Sequence, residues 1–429
     1  MSRCILITAI VFLCISAGWI YLRPIEPSCL VILNSKYFDS KTRGYVANKK
    51  ILISKELITD IIESTDFPAS YKSCRTLDLN GGYLYPGLID SHTHLLAIDK
   101  QKVSSWKTAL ELSAKRPLMM RLFIGEKNAK SMLMAGFTGV RDLGNSGFHL
   151  DEQLLLRLNH KISVGPEMIT SGPGITIGKS QINLIDNPQE YKIIDEETNL
   201  NLLFEEYKDH HVSWIKIYAD NSQRDVLASK ELLIKLTRKA KELNFKVAIH
   251  AEFNGSISRA LDAHPNSIEH FYEIPFKDFK TENPLPYIVL TDYSLKTCYN
   301  ISLEKNCSAK MLSLKNRIAW LKKNNFKIVF GSDAVLDFTS DFKTRGEAAL
   351  SSLISLSESG LTPVEIILAA TATPAEMLDL PIGKIEKTYK ANLVAYNSDP
   401  LSNPENLKNR ILVLFKGEII CKSIVECQP

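Results

Sequence analysis

Short apolar runs alternate along most of the chain with longer stretches that read as helices, such as residues 229–243 and 314–325. The runs have strand length and are rich in β-branched residues. Strands that alternate with helices indicate a parallel α/β fold. The strands predicted for this central region run from 87 to 94, 136 to 143, 167 to 174, 214 to 219, 247 to 252, 267 to 271, 287 to 293 and 327 to 333. Eight such units over roughly 290 residues fit a (β/α)8 TIM-type barrel, which carries its chemistry at the carboxyl ends of the strands.

Two histidines one residue apart close the first of these strands. Residues i and i+2 of a strand point to the same face, so His92 and His94 can reach one metal ion. Neutral imidazole is the commonest ligand for zinc and its neighbours. A His-x-His pair is weak evidence by itself, because many such pairs are surface residues of strands.

Four further polar residues lie within or at the ends of later strands, namely Lys216, His250, His270 and Asp333. A charged group inside an apolar strand is costly unless it is paired or bound to metal, so Lys216 and Asp333 need a partner. A shared metal centre at the carboxyl ends of the strands would provide one.

Six segments together resemble the amidohydrolase superfamily, in its branch of imidazolonepropionase-like and Xaa-dipeptidase-like metal hydrolases. They are Pro-Gly-Leu-Ile-Asp-Ser-His-Thr-His (86–94), Gly-Phe-Thr-Gly-Val-Arg-Asp-Leu-Gly (136–144), Ser-Gly-Pro-Gly-Ile (171–175), Ile-Lys-Ile-Tyr (215–218), Ser-Ile-Glu-His (267–270) and Phe-Gly-Ser-Asp (330–333). The resemblance implies that the six residues named above are metal ligands and that Lys216 is carboxylated.

The chain departs from the family pattern in three places. Where the family often has His-x-His on strand 5, this chain has His250-Ala-Glu252. The Gly/His-rich loop usual after strand 3 reads Ile-Gly-Lys-Ser-Gln-Ile (177–182), and the Gly-rich stretch usual after strand 4 reads Ala-Asp-Asn-Ser-Gln (219–223). Asn392 stands where Asp is usual. The metal ligands are therefore complete, whereas the residues around the substrate differ.

The resemblance also accounts for the two ends of the chain, which are predicted to form short strands with turns. Neither end has enough strands for a stable core, and in the resembled family the two ends pair into one β-sandwich. We therefore expect a composite β-sandwich domain from 27–85 and 380–429, and a metal-dependent barrel from 86 to 379.

The expected chemistry uses two divalent metal ions, with zinc as the expected metal. A lysine with a lowered pKa can react with CO2 to give a carbamate, which presents two oxygens and can bridge two cations. His92, His94 and Asp333 would complete one site, and His250 and His270 the other. A bridging hydroxide would attack the substrate carbonyl, and Asp333 would carry the proton to the leaving group.

Three residues near the mouth of the predicted barrel are candidates for substrate contact, namely Arg141, Tyr218 and Glu252. For Arg141 a salt bridge to a neighbouring acid is the alternative, and for the other two it is a packing role. Lys179 is a further candidate to hold a terminal carboxylate of the substrate.

The N-terminus differs in kind from the rest of the chain. Residues 4–22 carry no charge and are long enough to span a bilayer, yet small residues at 15–18 also resemble a signal-peptide cleavage site. Residues 1–26 are thus predicted to be a signal peptide or a membrane anchor. In a eukaryotic secretory route Asn254-Gly-Ser256 would accept a glycan, and a glycan at the mouth of the barrel would obstruct the site. A bacterial envelope is therefore favoured. We expect an exported enzyme, either periplasmic or anchored in the inner membrane facing the periplasm.

Composition adds bounds on partners. The chain is 45% hydrophobic and 23% charged, which is ordinary for a globular protein. Its net charge of +4 comes without a basic block, so no nucleic-acid partner is expected. The six cysteines beyond the N-terminal segment permit disulfides without requiring them. A homo-oligomer stays open.

The resemblance to dipeptidase-like hydrolases and the expected two-metal centre predict a hydrolase of small molecules. Its expected reaction is cleavage of an amide C–N bond in a dipeptide or an N-acyl amino acid. A lactonase or organophosphate-type hydrolase is the main alternative, because the same metal centre can attack those substrates. A non-catalytic scaffold would have lost metal ligands, and none is lost in this sequence.

Overall fold

The computed structural model describes residues 29–97, 111–144, 147–177, 190–221, 228–275, 284–293, 295, 298, 306–334 and 343–427. The strands in this part of the chain are β1 (Cys29–Asp39), β2 (Gly44–Ser54), β3 (Leu57–Glu63), β4 (Arg75–Asp78), β5 (Tyr83–Pro86), β6 (Leu88–Thr93), β7 (Phe137–Asp142), β8 (Glu167–Ile169), β9 (Gly174–Ile177), β10 (Tyr191–Ile194), β11 (Trp214–Tyr218), β12 (Lys246–Ala251), β13 (Ser267–His270), β14 (Tyr287–Leu290), β15 (Ile328–Phe330), β16 (Leu393–Tyr396), β17 (Arg410–Phe415) and β18 (Glu418–Cys421).

The α-helices of the described residues lie between and after the central strands. They are α1 (Leu118–Met134), α2 (Leu150–Asn159), α3 (Leu200–Asp209), α4 (Lys230–Glu242), α5 (Asn254–Asp262), α6 (Cys307–Lys323), α7 (Arg345–Ser355), α8 (Pro363–Ala369) and α9 (Ala372–Leu378). Polar side chains start several of them. Ser229 accepts a hydrogen bond from the backbone N–H of Leu232 at the start of α4, and Thr362 forms a capping box with Glu365 at the start of α8.

The central strands form two parallel sheets. One sheet has seven strands in the order β10-β9-β11-β12-β13-β14-β15, and the other has the order β6-β7-β8. The strands β6, β7, β11 and β13 are buried along their whole length, as expected for parallel strands covered on both faces. The predicted α/β class with parallel strands is confirmed. In each of these two sheets the carboxyl ends of the strands lie at one edge, and we call these edges together the strand-end face.

Strands from both ends of the chain join in a third sheet. It has eight strands, seven of them in the order β18-β17-β16-β5-β1-β2-β3, with β4 beside β1. The pairing of β16 with β5 is antiparallel and joins the C-terminal strands to the N-terminal ones. The two ends of the chain therefore share one sheet, while their arrangement as a sandwich and the exact domain limits stay predictions.

One predicted strand is wrong. The sequence led us to expect a single strand from 167 to 174, but the structure divides this region between β8 and β9, which lie in different sheets. Gly172 adopts a φ of +61° between the two strands, and Pro173 has no backbone N–H to donate to a neighbouring strand. Together these two residues end one strand before the next begins.

Three disulfides link the six cysteines beyond the N-terminal segment in sequential pairs: Cys29–Cys74, Cys298–Cys307 and Cys421–Cys427. The first of them ties β1 to the segment before β4. Within the described residues, no helix combines the length and the apolar character needed to cross a bilayer. The predicted anchor at residues 4–22 lies outside the described residues.

Candidate metal centre

Three strands bring His92, His270 and Asp333 together at the strand-end face. One ligand atom from each residue lies within 4.8 Å of the others. His92 lies near the end of β6, His270 ends β13, and Asp333 follows β15. The backbone N–H of Asp333 donates to the carbonyl oxygen of His92 at 2.9 Å, so the first and last of these strands are joined beside the site.

The other two predicted histidines border this group. Nε2 of His94 lies 3.3 Å from Oδ1 of Asp333. The ring centroid of His250 lies 4.3 Å from that of His270. The structure thus places three of the predicted histidines within 3.9 Å of the Asp333 carboxylate, and the fourth, His250, beside His270.

Lys216 lies in the middle of β11 with its side chain buried. Its Nζ is 5.4 Å from the centroid of the Tyr218 ring. Burial lowers the pKa of Lys216 to about 8, while the charges of Glu269 and Asp333 oppose this shift. Because only the neutral amine of a lysine reacts with CO2, this lowered pKa favours carboxylation of Lys216 near neutral pH.

Burial favours the neutral form of three imidazoles in the site. Burial lowers the pKa of His92, His250 and His270 well below the ordinary value, and neighbouring cationic groups lower it further. Within the described residues, the buried Nε2 atoms of His92 and His250 have no hydrogen-bond partner. A buried ring nitrogen with a free lone pair is costly unless it binds something. These atoms, with the Asp333 carboxylate, fit divalent metal ions.

Glu269 orients the His92 ring by a hydrogen bond with Nδ1, the ring nitrogen on the side opposite Nε2. Its Oε2 lies 2.8 Å from His92 Nδ1, while its Oε1 accepts from Arg141 at 2.9 Å and from Ser267 Oγ at 2.5 Å. Because a carboxylate accepts, Nδ1 of His92 carries the proton and Nε2 is left with its lone pair. A carboxylate behind a ligand histidine fixes its tautomer and raises its basicity.

Further groups hold the remaining ligands in place. His94 Nδ1 donates to the carbonyl oxygen of Gly144 at 3.1 Å, and His270 Nδ1 lies 2.8 Å from Thr291 Oγ1. Asp90 accepts from the backbone N–H groups of His92 at 3.1 Å and Ser332 at 2.9 Å. Burial raises the pKa of Asp90 to about 7. Each of these contacts restricts a ligand-bearing strand end.

The backbone is strained at two of the predicted ligands. His270 has a φ of +74° and Asp333 a φ of +44°, both in the left-handed region that residues with a side chain rarely adopt. Such residues cost on the order of 1–3 kcal/mol each and cluster at functional sites. The strain therefore supports a functional role for these two strand ends.

Of the three predicted substrate contacts, Arg141 is fully buried. Its guanidinium donates to Ser91 O at 2.7 Å, Ser267 Oγ at 3.0 Å and Glu269 at 2.9 Å, and it stacks 4.4 Å from the Trp214 ring. These contacts favour the salt-bridge role for Arg141 over contact with substrate.

The other two predicted contacts lie beside His250, one of the predicted metal ligands. The Tyr218 ring centroid is 5.2 Å from that of His250, and a Cβ at Gly174 would lie 2.4 Å from the Tyr218 ring, so only glycine leaves room there. Oε1 of Glu252 lies 3.5 Å from His250 Nε2. Burial raises the pKa of Glu252 to about 8, with Asp220 and Asp333 adding to the shift. Lys179 lies outside the described residues.

Sequence reasoning missed the acids and the hydroxyl that support the ligands, namely Glu269, Asp90, Asp220 and Thr291. A signal existed for Glu269 and Asp90, because both are charged residues within fully buried strands. The argument that singled out Lys216 applies to them equally. The roles of Asp220 and Thr291 depend on contacts between strands and could not be anticipated.

The sequence pattern of the amidohydrolase family matches residues 83–420. This chain belongs to the amidohydrolase family. The predicted membership is thus confirmed, and it supports hydrolase activity with divalent metals for this amidohydrolase. No curated protein sequence matches the chain.

Solved structures share the fold of this amidohydrolase at low sequence identity. A Xaa-Pro dipeptidase with bound methionine in its active site has a TM-score of 0.78 at 21% identity, over 91% of this chain and 99% of that chain. Ochratoxinase from A. niger has a TM-score of 0.73 at 19% identity, over 92% and 96%. A prolidase complexed with N-methylphosphonate-L-proline has a TM-score of 0.73 at 18% identity, over 92% and 100%.

Proposed function

We propose that this amidohydrolase is a metal-dependent hydrolase that cleaves an amide C–N bond in a dipeptide or an N-acyl amino acid. The observation that carries the proposal is the meeting of His92, His270 and Asp333 within 4.8 Å beside a buried lysine. The dipeptidase and the prolidase that share its fold support a peptide-like substrate.

The proposed site holds two divalent metal ions, with zinc as the expected metal. The residues that would hold them are His92, His94, Lys216 as its carbamate, His250, His270 and Asp333. The carbamate forms when the neutral Nζ of Lys216 adds to CO2 and loses a proton. Bound metal ions would polarise the scissile carbonyl and lower the pKa of the attacking water.

The protein's own residues then orient and transfer protons. Glu269 keeps the proton of His92 on Nδ1, so that Nε2 faces Asp333 with a lone pair. Asp333 is the one carboxylate of the ligand set, and its side chain is 13% exposed, so solvent and substrate can reach it. We assign to it the transfer of a proton from the attacking water to the leaving nitrogen.

We further propose that the two parallel sheets form one closed barrel of the (β/α)8 type, in which β8 and β9 together take the place of the third strand and β10 is an additional strand beside β9. The hydrogen bond from the Asp333 backbone to the His92 carbonyl supports this arrangement, because it joins the segment after β15 to β6. Closure would bring all the strand ends around one mouth, where barrel enzymes carry their catalytic residues.

A substrate screen tests the proposed function. Dipeptides, N-acyl amino acids and lactones would be offered to the metal-loaded protein, with initial rates measured for each. We expect amide substrates to be cleaved faster than any lactone, and metal removal by a chelator to abolish the activity. Faster turnover of lactones would assign the enzyme to the alternative class.

We also propose that the protein is exported. Three disulfides support an oxidising compartment, because such bonds are rare where thiols are kept reduced. The uncharged residues 4–22 are the expected export signal or membrane anchor. In a bacterial host, protease added to spheroplasts should digest the catalytic body, and full protection of a chain with an intact N-terminus would contradict export.

A further inference from the structure

Glu252 is an acid within the site that the proposed mechanism does not use. It directly follows β12, two residues after His250, and its Oε1 lies 3.5 Å from His250 Nε2. The side chain is 16% exposed, so it lies inside the site and stays accessible to a bound molecule. Within the described residues, no N–H or O–H group donates a hydrogen bond to this carboxyl.

The neighbouring acid Asp220 is already used by the fold. Its carboxylate accepts from the backbone N–H groups of Glu252 and Phe253, each at 3.1 Å, and from the hydroxyl of Ser256. These contacts hold the start of α5 and fix the backbone from which Glu252 projects. One acid therefore positions the segment, and the other is left with an unsatisfied carboxyl beside the reaction centre.

Building on the proposed function, we propose that Glu252 binds the free α-ammonium group of the substrate, which makes the enzyme a dipeptidase and disfavours N-acyl amino acids. In a dipeptide the α-nitrogen lies two bonds from the scissile carbonyl carbon, a distance of roughly 2.5 Å. The group that binds it must therefore stand next to the metal ligands. Glu252 meets this condition through its distance to His250.

Electrostatics favour a cation as the partner of Glu252, because Asp220 and Glu252 meet beside His250 and an incoming ammonium group stabilises the ionised form of the Glu252 carboxyl. A carboxylate and an ammonium group form a charged hydrogen bond, which is stronger than a neutral one. A substrate without the ammonium would leave the enclosed carboxyl unpaired, and a site built around a polar group discriminates against analogues that lack it. The acid also stands where the resembled family often has a second histidine, so this chain offers an acidic group at a position where the family often offers a basic one.

A matched pair of substrates tests the assignment. L-alanyl-L-leucine and N-propionyl-L-leucine differ only in the α-ammonium group, and kcat/KM would be measured for both with the wild-type enzyme and with Glu252→Gln. We expect the substitution to lower kcat/KM for alanyl-leucine by about 10- to 100-fold, the loss of one charged hydrogen bond. The value for propionyl-leucine should change less than about twofold, because it has no charge to lose.

Two further variants complete the experiment. Glu252→Asp keeps the charge and should retain part of the preference for the free amine. Glu273→Gln is the control for the start of α5, because the Glu273 carboxylate accepts from the backbone N–H of Asn254. Glutamine keeps an oxygen for this contact, so both rates should stay near wild type. If wild type turns over propionyl-leucine too slowly, its inhibition constant against alanyl-leucine replaces the rate.

The outcomes separate the inference from the proposed function. Equal losses for both substrates in Glu252→Gln, or a lower metal content in that variant, would overturn the inference by making Glu252 a structural group or a metal ligand. A metal-loaded wild type that cleaves neither substrate nor any other amide would instead contradict the proposed function, and the inference would fall with it.

Discussion

The two sides of the metal centre are built differently. On one side, His92 is held from behind by Glu269, which in turn is held by Arg141 and Ser267, and the side chains of His92, Glu269 and Arg141 are at most 1% exposed. On the other side, the side chain of His250 is 11% exposed, and Oδ1 of Asp220 lies 3.4 Å from its Nε2 without forming a hydrogen bond with it.

The difference in burial and hydrogen bonding indicates that the two sides of the centre have different roles. A closed network of buried hydrogen bonds fixes ligand geometry because any movement would break several buried contacts at once. On the more open side, the carboxyl of Glu252 has no hydrogen-bond donor among the described residues, so a substrate group can provide the missing partner. We therefore expect substitutions on the His92 side to alter metal binding and stability, and those on the His250 side to alter substrate preference.

The largest effect is expected at the residue that should join the two sides. Lys216→Ala removes the proposed carbamate, so metal content and activity should fall together to background, as measured by elemental analysis and amide hydrolysis. Lys246→Ala is the matched control, because its side chain pairs with Asp379 away from the metal centre. Two full metal equivalents in Lys216→Ala would rule out the bridging role.

The next effect separates binding of metal from proton transfer. Asp333→Asn keeps an oxygen ligand but cannot carry a proton, so kcat should fall by at least about 10²-fold while metal content stays near wild type. Steady-state kinetics and elemental analysis of the same preparation would decide the outcome. Near-normal turnover would show that another group transfers the proton.

A third substitution tests the closed network itself. Glu269→Gln removes the charge opposite the buried Arg141 and weakens the orientation of His92. Metal affinity should fall by about 10- to 100-fold, and the free energy of unfolding of the metal-free protein by roughly 3 kcal/mol. Competition with a chelator and denaturant unfolding measure the two quantities. Unchanged metal affinity would mean that the network behind His92 serves stability alone.

The smallest effect is expected on the open side. Asp220→Asn keeps an oxygen for the backbone N–H groups at the start of α5 and loses only the charge, so the free energy of unfolding should drop by about 1 kcal/mol or less. Denaturant unfolding would measure it beside Glu269→Gln. A larger loss than in Glu269→Gln would reverse the comparison between the two sides.

Much of the site was predictable because burial makes charge conspicuous. Lys216 and Asp333 stood out as charged groups in apolar strands, and the His-x-His pair gave the metal its first ligands. The same rule points to Glu269, a charged residue in a fully buried strand next to His270. The sequence alone does not show that Glu269 and Arg141 face each other, so it leaves both a salt bridge and a substrate contact open for Arg141.

Other features depend on contacts that no local pattern records. Six cysteines can pair in 15 ways, so the three disulfides could not be chosen from spacing. The break between β8 and β9 was hidden because residues 167–174 read as one apolar run, and only the positive φ of Gly172 shows where the chain turns. Pairing of the two chain ends could be predicted because neither end has enough strands for a stable core. The order of the strands in the shared sheet is visible only in the structure.

Crystallographic measurement of the metal-loaded enzyme at the metal absorption edge tests the proposed two-metal centre. We expect two anomalous peaks, one beside His92, His94 and Asp333 and the other beside His250 and His270, with added density on Nζ of Lys216 that contacts both. A single peak with an unmodified lysine, or metal bound elsewhere on the chain, would contradict it.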